Sequence, residues 1–168
     1  MSYFIIIRGP AGVGKSTIAK KVAKKLNAYY VSFDEIMGKN KLDKIEGDGI
    51  SAANFVKAND LVVPDAKDKL NEGQIVVFDG CFYRSEQIEH LKKQLNFKSK
   101  ILTLTATLDE CMSRNNSRSR VMSKIAVEEV YALVNNLKVG IVVPTSGKTV
   151  AESVNDIILK ISDADFKN

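Results

Sequence analysis

The sequence contains few of the residues that build disulfide frameworks, zinc sites or membrane spans. Its two cysteines, Cys81 and Cys111, stand alone, without the Cys-x-x-Cys or Cys/His spacing of metal ligands, which excludes both a disulfide framework and a zinc site. The apolar run at residues 3–7 ends at Arg8, so it is too short for a signal peptide or a membrane span. These absences predict a cytoplasmic protein with no membrane partner.

Length and composition predict one domain with one site. The chain has 168 residues, of which 45% are apolar, enough for a single core. It shows no internal repeat, low-complexity tract or interdomain linker, so we expect one domain over residues 1–168. The net charge of +5 suits a polyanionic substrate such as a nucleotide, although such a charge is also common in proteins without one.

Short apolar runs alternate with helical patterns along the chain. The runs lie at residues 3–7, 29–33, 75–78, 101–104 and 141–143. They have the uninterrupted, β-branched character of buried strands, and the alternation predicts an α/β three-layer sandwich around a five-stranded parallel sheet. Residues 35–73, broken by Pro64, and the polar residues 113–124 fit this plan poorly. We expect these two segments to be the moving, substrate-facing parts.

A phosphate-binding motif, G-x-x-x-x-G-K-[S/T], separates the first strand from the first helix. Its glycines let successive backbone N–H groups turn inward around phosphate oxygens, and the following helix adds its positive N-terminal end. Lys15 is expected to reach the β- and γ-phosphates, and Ser16 to present its hydroxyl to Mg²⁺. The predicted cofactors are therefore ATP and Mg²⁺. The residues predicted to bind them are Gly9, Pro10, Ala11, Gly12, Val13, Gly14, Lys15, Ser16 and Thr17.

The motif and the order of elements resemble the small P-loop kinases. This group of P-loop NTPases includes nucleoside monophosphate kinases, shikimate and gluconate kinases, and polynucleotide kinase-like phosphotransferases. The resemblance implies a parallel sheet of strand order 2-3-1-4-5. It also implies a substrate-binding insert after the second strand, about residues 35–73, and an arginine-bearing lid, about residues 113–124. Only the phosphate loop is a specific motif, whereas the rest of the resemblance lies in element order.

Two carboxylates follow predicted strands and are candidates for catalysis. Asp34 ends the second apolar run, where the resemblance implies that an aspartate accepts the proton of an attacking hydroxyl or helps to hold the metal shell; a loop carboxylate or helix cap is the alternative. Asp79 closes the third run, as in a Walker-B element, and is expected to take a water of the Mg²⁺ shell.

An arginine follows the third strand. The segment from Asp79 to Arg84 resembles the Asp-Gly-Phe-Pro-Arg segment of adenylate kinases, with one extra residue and no proline. Arg84 is therefore a candidate ligand for an anionic acceptor. The alternative is a surface arginine at the start of the next helix.

Three further arginines, Arg114, Arg118 and Arg120, cluster in the predicted lid. So short a stretch has too few acids to pair with all of them, so phosphate is a plausible partner. The resemblance implies that Arg114 stacks on adenine, and that Arg118 or Arg120 stabilises the charge on the transferred phosphoryl group. It also places Ser146, in the turn after the fifth strand, near the adenine. A basic helix end in solvent is the alternative for any one arginine.

Two further sequence features contribute little to the functional prediction. Asn40-Lys41-Leu42-Asp43 matches the guanine-reading pattern of GTPases, but it lies far too early in the chain, and Phe82 occupies the position where a GTPase has glycine. His90, the only histidine, falls off the apolar stripe of its helix, so it is expected to be exposed and uninvolved.

The preferred hypothesis is an ATP-dependent phosphotransferase acting on a hydroxyl or phosphate of a small metabolite or nucleotide. A nucleotide-binding regulatory switch and a polynucleotide 5′-hydroxyl kinase are the alternatives. Residues 35–73 lack a basic stripe interleaved with aromatics, so a nucleic acid partner is not expected. They also lack arginine, the side chain that binds a phosphate group bidentately, which argues against a nucleoside monophosphate acceptor. The chain is expected to be a monomer or a homodimer.

Overall fold

A computed structural model describes residues 2–119 and 121–163 of the chain. The strands are β1 (Phe4–Arg8), β2 (Tyr29–Ser32), β3 (Val76–Gly80), β4 (Ser99–Thr105) and β5 (Ile141–Pro144). The helices are α1 (Lys15–Leu26), α2 (Phe33–Lys39), α3 (Ala52–Asn71), α4 (Ser85–Leu95), α5 (Leu108–Asn116), α6 (Lys124–Asn136) and α7 (Val150–Asp163). None of the helices within these ranges is long and apolar enough to cross a membrane.

The five strands form one parallel sheet of order β2-β3-β1-β4-β5, which confirms the predicted topology. Central β1 is buried along its whole length, because helices cover both faces of the sheet. Phe4 and Ile6 pack on the face covered by α3, α4 and α6, whereas Ile5 and Ile7 pack on the face covered by α1 and α7. This alternation explains why the run at residues 3–7 contains no polar residue.

Side-chain caps fix where several helices begin. Ser32 accepts a hydrogen bond from the Glu35 N–H at the start of α2, and Ser51 does the same for Asn54 at the start of α3. A full capping box joins Thr107 and Glu110 at α5, as its sequence pattern indicates. The helices that follow β2 and β4 therefore start close to the carboxyl ends of these strands.

The predicted irregularity of residues 35–73 is wrong for most of the segment. Helices α2 and α3 account for 33–39 and 52–71, and Pro64 lies inside the 20-residue helix α3. Only the turn between them is irregular, with an isolated bridge between Ile45 and Ile50. The second strand also ends earlier than predicted, at Ser32, so that Asp34 belongs to the first turn of α2.

The predicted exposure of His90 is wrong, whereas its predicted lack of a functional role stays a prediction. Its side chain is 23% exposed and lies 3.6 Å from a carboxylate oxygen of Asp60. The ring nitrogen Nδ1 also lies within hydrogen-bonding distance, 3.2 Å, of the side-chain amide of Asn59. The histidine therefore joins α3 to α4, because a helix packed on both the sheet and a neighbouring helix buries more than one stripe.

A buried arginine at the end of β1 links distant parts of the chain. Arg8 is fully buried and donates through Nε to Phe82 O, through Nη1 to Thr103 Oγ1 and Leu137 O, and through Nη2 to Val134 O, at 2.8–3.0 Å. Burial lowers the pKa of this guanidinium to about 10, which still leaves it charged at neutral pH. The last two acceptors are at the C-terminal end of α6, where the helix dipole favours a cation.

Candidate active site

Two glycines with left-handed backbone shape the phosphate loop between β1 and α1. Gly12 has φ of 82° and Gly14 has φ of 99°, a region that side chains rarely adopt. A Cβ on Gly12 would lie 2.1 Å from the carbonyl oxygen of Cys111, so the loop passes directly against α5. The first turn of α1 contains no acidic residue, so its N-terminal end remains positive toward the loop.

Lys15, the first residue of α1, is 6% exposed and donates from Nζ to Pro10 O over 2.9 Å. Burial is the largest single influence on its pKa and lowers it. Cys81, Asp34 and Asp79 act in the opposite direction, and together they raise the pKa of Lys15 above its usual range. The ammonium therefore stays charged at neutral pH in a site from which water is largely excluded.

Asp79, in β3, is 1% exposed and has one oxygen in use and one without a partner. Oδ2 accepts a hydrogen bond of 2.8 Å from the Tyr30 hydroxyl, whereas Oδ1 has no hydrogen-bond partner among the residues described. Burial raises the pKa of this carboxyl group, and Lys15, Ser16 and Tyr30 partly oppose that rise. A buried carboxylate oxygen beside the Ser16 hydroxyl fits a water molecule in the hydration shell of Mg²⁺.

An open cleft of about 300 Å³ runs along the phosphate loop. It brings together many of the residues that the sequence singles out, namely Gly12, Val13, Gly14, Lys15, Ser16, Thr17, Asp34, Arg114 and Arg118. Of the other predicted residues, the cleft lining does not include Gly9, Pro10, Ala11 or Asp79. Arg120 lies outside the described residues. The cleft therefore places two guanidinium groups and a carboxylate around the phosphate loop.

Arg114 fastens the phosphate loop to the turn that follows β5. Its Nη1 donates to Val13 O and to Thr145 Oγ1, both at 3.2 Å, and its Nη2 donates to Thr145 O at 3.4 Å. Thr145 and Lys148 line the cleft beside it, and sequence reasoning missed both as site residues. The available signal was the position of Thr145 directly after a strand at the carboxyl edge of the sheet.

Ser146 is not among the residues that line the cleft, and its predicted place near the adenine stays a prediction. Its hydroxyl donates to the carboxylate of Glu110, which also accepts from Thr107 and from the Gly147 N–H. These contacts, with Ser146 the strongest, lower the pKa of Glu110 to about 2. The serine therefore fixes the turn after β5 to the start of α5, and its neighbour Thr145 provides the wall of the cleft.

Arg84 lies apart from the cleft and is already occupied. Its Nη2 and Nη1 donate to the two carboxylate oxygens of Asp48 at 2.8 and 3.3 Å, and its Nε donates to Ile50 O at 3.2 Å. The guanidinium carbon also lies 5.3 Å from the centre of the Tyr83 ring. The structure thus places Arg84 against the turn between α2 and α3, at the N-cap of α4.

The parallel sheet, its strand order and the phosphate-loop cleft define a P-loop phosphotransferase. A family model described as AAA domain matches residues 4–135, and the chain belongs to this family. A putative adenylate kinase of Thermococcus gammatolerans is 31% identical over 162 residues, covering 92% of this chain and 82% of that protein. An adenylate kinase of Mycobacterium marinum is 29% identical over 147 residues, covering 80% of this chain and 78% of that protein.

The fold is also found in kinases of much lower identity. A sugar kinase from Janibacter sp. HTCC2649 superposes with a TM-score of 0.79 at 12% identity, covering 98% of this chain and 96% of that one. This likeness shows the fold alone, whereas the sequence relatives identify the protein as an ATP-dependent kinase. These findings favour the enzyme hypothesis over the regulatory switch.

Proposed function

We propose that the protein transfers the γ-phosphoryl group of Mg²⁺-bound ATP to a hydroxyl, or a phosphate, of a small metabolite or nucleotide. The observation that carries this proposal is the cleft itself, in which Lys15, Arg118 and the Asp34 carboxylate face one space. Phosphoryl transfer needs positive charge around the moving group and a carboxylate to orient the nucleophile. The cleft supplies both.

The phosphate loop and Lys15 form the donor half of the proposed site. Backbone N–H groups of the loop and the Lys15 ammonium would bind the phosphate oxygens, and Arg114, which donates to Val13 O of the loop, would contact the adenine. Ser16 and, through water, Asp79 would hold Mg²⁺. When bound, this ion would neutralise part of the charge on the phosphate oxygens.

Asp34 and Arg118 form the proposed transfer half of the site. Asp34 is exposed in the first turn of α2 and lines the cleft, close enough to Lys15 to raise the pKa of that lysine. From there its carboxylate can orient an acceptor hydroxyl and take its proton. Arg118 lines the same cleft and would stabilise the charge of the transferred group.

Asp34→Asn should lower kcat by roughly 10²- to 10⁴-fold, the usual contribution of a positioned general base. The KM for ATP should change little, because asparagine keeps the shape and removes only the charge and basicity. Glu35→Gln is the matched control, since Glu35 is an exposed neighbour on the same helix that does not line the cleft. Steady-state rates with γ-labelled ATP provide the measurement. Equal kcat in Asp34→Asn and wild type would remove Asp34 from the mechanism.

Tyr30→Phe should move the acid limb of the kcat–pH profile to higher pH. The Tyr30 hydroxyl is a donor that favours the charged form of buried Asp79, so its loss raises the pKa of that carboxyl further and protonates it at less acid pH. We also expect roughly tenfold weaker activation by Mg²⁺, since a hydrogen bond to a charged group is lost. Tyr29→Phe is the control, and a pH profile identical to wild type would contradict the assignment.

A broad acceptor screen tests the proposed function directly. Radiolabelled ATP and Mg²⁺ are incubated with nucleosides, nucleotides, sugars and other hydroxyl compounds, and labelled products are separated. We expect a labelled acceptor whose formation stops when EDTA removes the metal. Slow ATP hydrolysis with no labelled acceptor, combined with nucleotide-dependent binding of a protein partner, would instead support a regulatory switch.

A nucleoside monophosphate is the second candidate acceptor. It is favoured by relatives named adenylate kinase at 29 and 31% identity. For such an acceptor the transfer would go to a phosphate oxygen, and the site would need a cation to hold that phosphate. The positions and partners of the arginines therefore bear on whether the acceptor group is a hydroxyl or a phosphate.

A further inference from the structure

The chain has five arginines, and three of the four described ones are committed to the core or to the phosphate-loop cleft. Arg8 is fully buried with its donors used in the core. Arg114 is bonded to the phosphate loop and the β5 turn, and Arg118 lines the donor cleft. Arg120 belongs to the same lid segment and is not among the described residues. Arg84 is therefore the one described guanidinium that stands on the side of the substrate-binding insert.

The donors of Arg84 are used by the turn between α2 and α3. Two of its N–H groups meet both carboxylate oxygens of Asp48, and the third meets Ile50 O. Its side chain is 21% exposed, whereas that of Asp48 is 72% exposed. The hydrogen bond with Asp48 is the main reason that the pKa of Arg84 is raised, and it lowers the pKa of Asp48 in turn. This fork is the arrangement in which arginine also binds phosphate.

The turn that presents Asp48 is held in place by contacts of its own. The Ile50 N–H donates to the Tyr83 hydroxyl at 2.8 Å, and the Glu46 N–H donates to Gly49 O at 2.8 Å. Gly49, with φ of 137°, lies so close that a Cβ there would be 3.0 Å from the Tyr83 hydroxyl. These contacts hold the turn against Tyr83 and thereby position Asp48 beside Arg84.

We propose that Asp48 acts as a built-in anion that closes Arg84 to phosphate, so that the acceptor is a hydroxyl compound carrying no phosphate group. This inference rests on the proposed function and names its substrate class. A phosphorylated acceptor would have to displace a carboxylate from the same fork, and its phosphate would also be repelled by that carboxylate. An acceptor without a phosphate group neither displaces the Asp48 carboxylate nor is repelled by it, and Asp34 can still orient its hydroxyl. Asp48 is on this view a specificity-determining residue.

Matched pairs of acceptors test the proposal by kinetics. Each pair is a hydroxyl compound and its phosphorylated form, such as a nucleoside and its 5′-monophosphate, or a sugar and its phosphate. Wild type should prefer the unphosphorylated member of the productive pair by roughly 100-fold in kcat/KM. Asp48→Asn keeps the shape and removes the charge, so it should narrow this ratio by roughly tenfold or more, mainly through KM for the phosphorylated member.

Two controls assign the change to the Arg84 fork. Glu46→Gln removes a nearby exposed acid that pairs with Lys44 instead, and it should leave the ratio at the wild-type value. The double variant Asp48→Asn/Arg84→Gln should lose the gain shown by Asp48→Asn. A wild-type preference for the phosphorylated member, or a ratio unchanged in Asp48→Asn, would overturn the proposal.

A binding measurement separates this inference from the proposed function. Calorimetric titration with a nucleoside monophosphate, in the presence of saturating ADP and Mg²⁺, needs no turnover. Asp48→Asn should bind it roughly tenfold more tightly than wild type, and the double variant should not. Failure to label any acceptor would refute the proposed function, whereas equal binding by wild type and Asp48→Asn would refute the role of Asp48. Far-UV circular dichroism confirms that each variant is folded.

Discussion

Lys15→Met should reduce kcat/KM for phosphoryl transfer by roughly 10³-fold or more, because the lysine is expected to bind the phosphate oxygens directly. Lys15 is 6% exposed, and its ammonium donates to Pro10 O. In so dry a position a charge interacts strongly with phosphate oxygens, because little water screens it. Methionine preserves the unbranched stem and its packing while removing the charge.

Lys24→Met is the matched control, since Lys24 is an exposed lysine of the same helix on the face away from the cleft. Rates of product formation and calorimetric affinities for ATP should be measured for both variants and for wild type. Lys24→Met should retain activity within about twofold, as expected for a surface substitution. Product formation in Lys15→Met at the wild-type rate would contradict the placement of the γ-phosphate beside Lys15.

Gly12→Ala should weaken ATP binding on the order of 100-fold, equivalent to ~3 kcal/mol, by deforming the phosphate loop. Two effects add at this position. The φ of 82° is strained for any residue with a Cβ, and that Cβ would lie 2.1 Å from the carbonyl oxygen of Cys111 in α5. Neither atom is at the end of a flexible side chain, so the loop must move away from α5 and misdirect its N–H groups.

Gly73→Ala isolates the conformational strain from the clash. Gly73 has a similar φ of 87°, but nothing lies within 4 Å of its Cβ position. We expect this control to lower the free energy of unfolding by ~1 kcal/mol and to leave ATP affinity unchanged. Calorimetry and thermal unfolding provide both readouts. Equal ATP affinity in Gly12→Ala and wild type would show that the loop tolerates a side chain against α5.

The sheet and the phosphate loop could be predicted because their signals are local. Each buried strand is a short uninterrupted apolar run, and the loop is one contiguous motif between a strand and a helix. The insert was harder to predict, because Pro64 and the glycines suggested that it was broken. In α3, Phe55, Val62, Ala66 and Leu70 form a buried stripe, and this packing outweighs the hydrogen bond that proline cannot make.

The contacts that distinguish the site depend on pairs far apart in the chain. Tyr30 meets Asp79 across neighbouring parallel strands, 49 residues apart, and Arg84 meets Asp48 across 36 residues. The sequence shows that these residues are polar or charged, and that Asp79 and Arg84 lie at or after the end of a strand. It does not show the register or the turn geometry that selects one partner over another, so the pairing of Arg84 with Asp48 could not be predicted.

Arg8 anchors the C-terminal end of α6 to β1. Its bonds to Val134 O and Leu137 O pin the far end of this helix to the strand that leads into the phosphate loop, while the near end follows the lid segment. A helix of 13 residues is roughly 20 Å long, at about 1.5 Å per residue. Through one buried guanidinium, the strand that leads into the phosphate loop is therefore joined to a rigid element that follows the segment carrying Arg118.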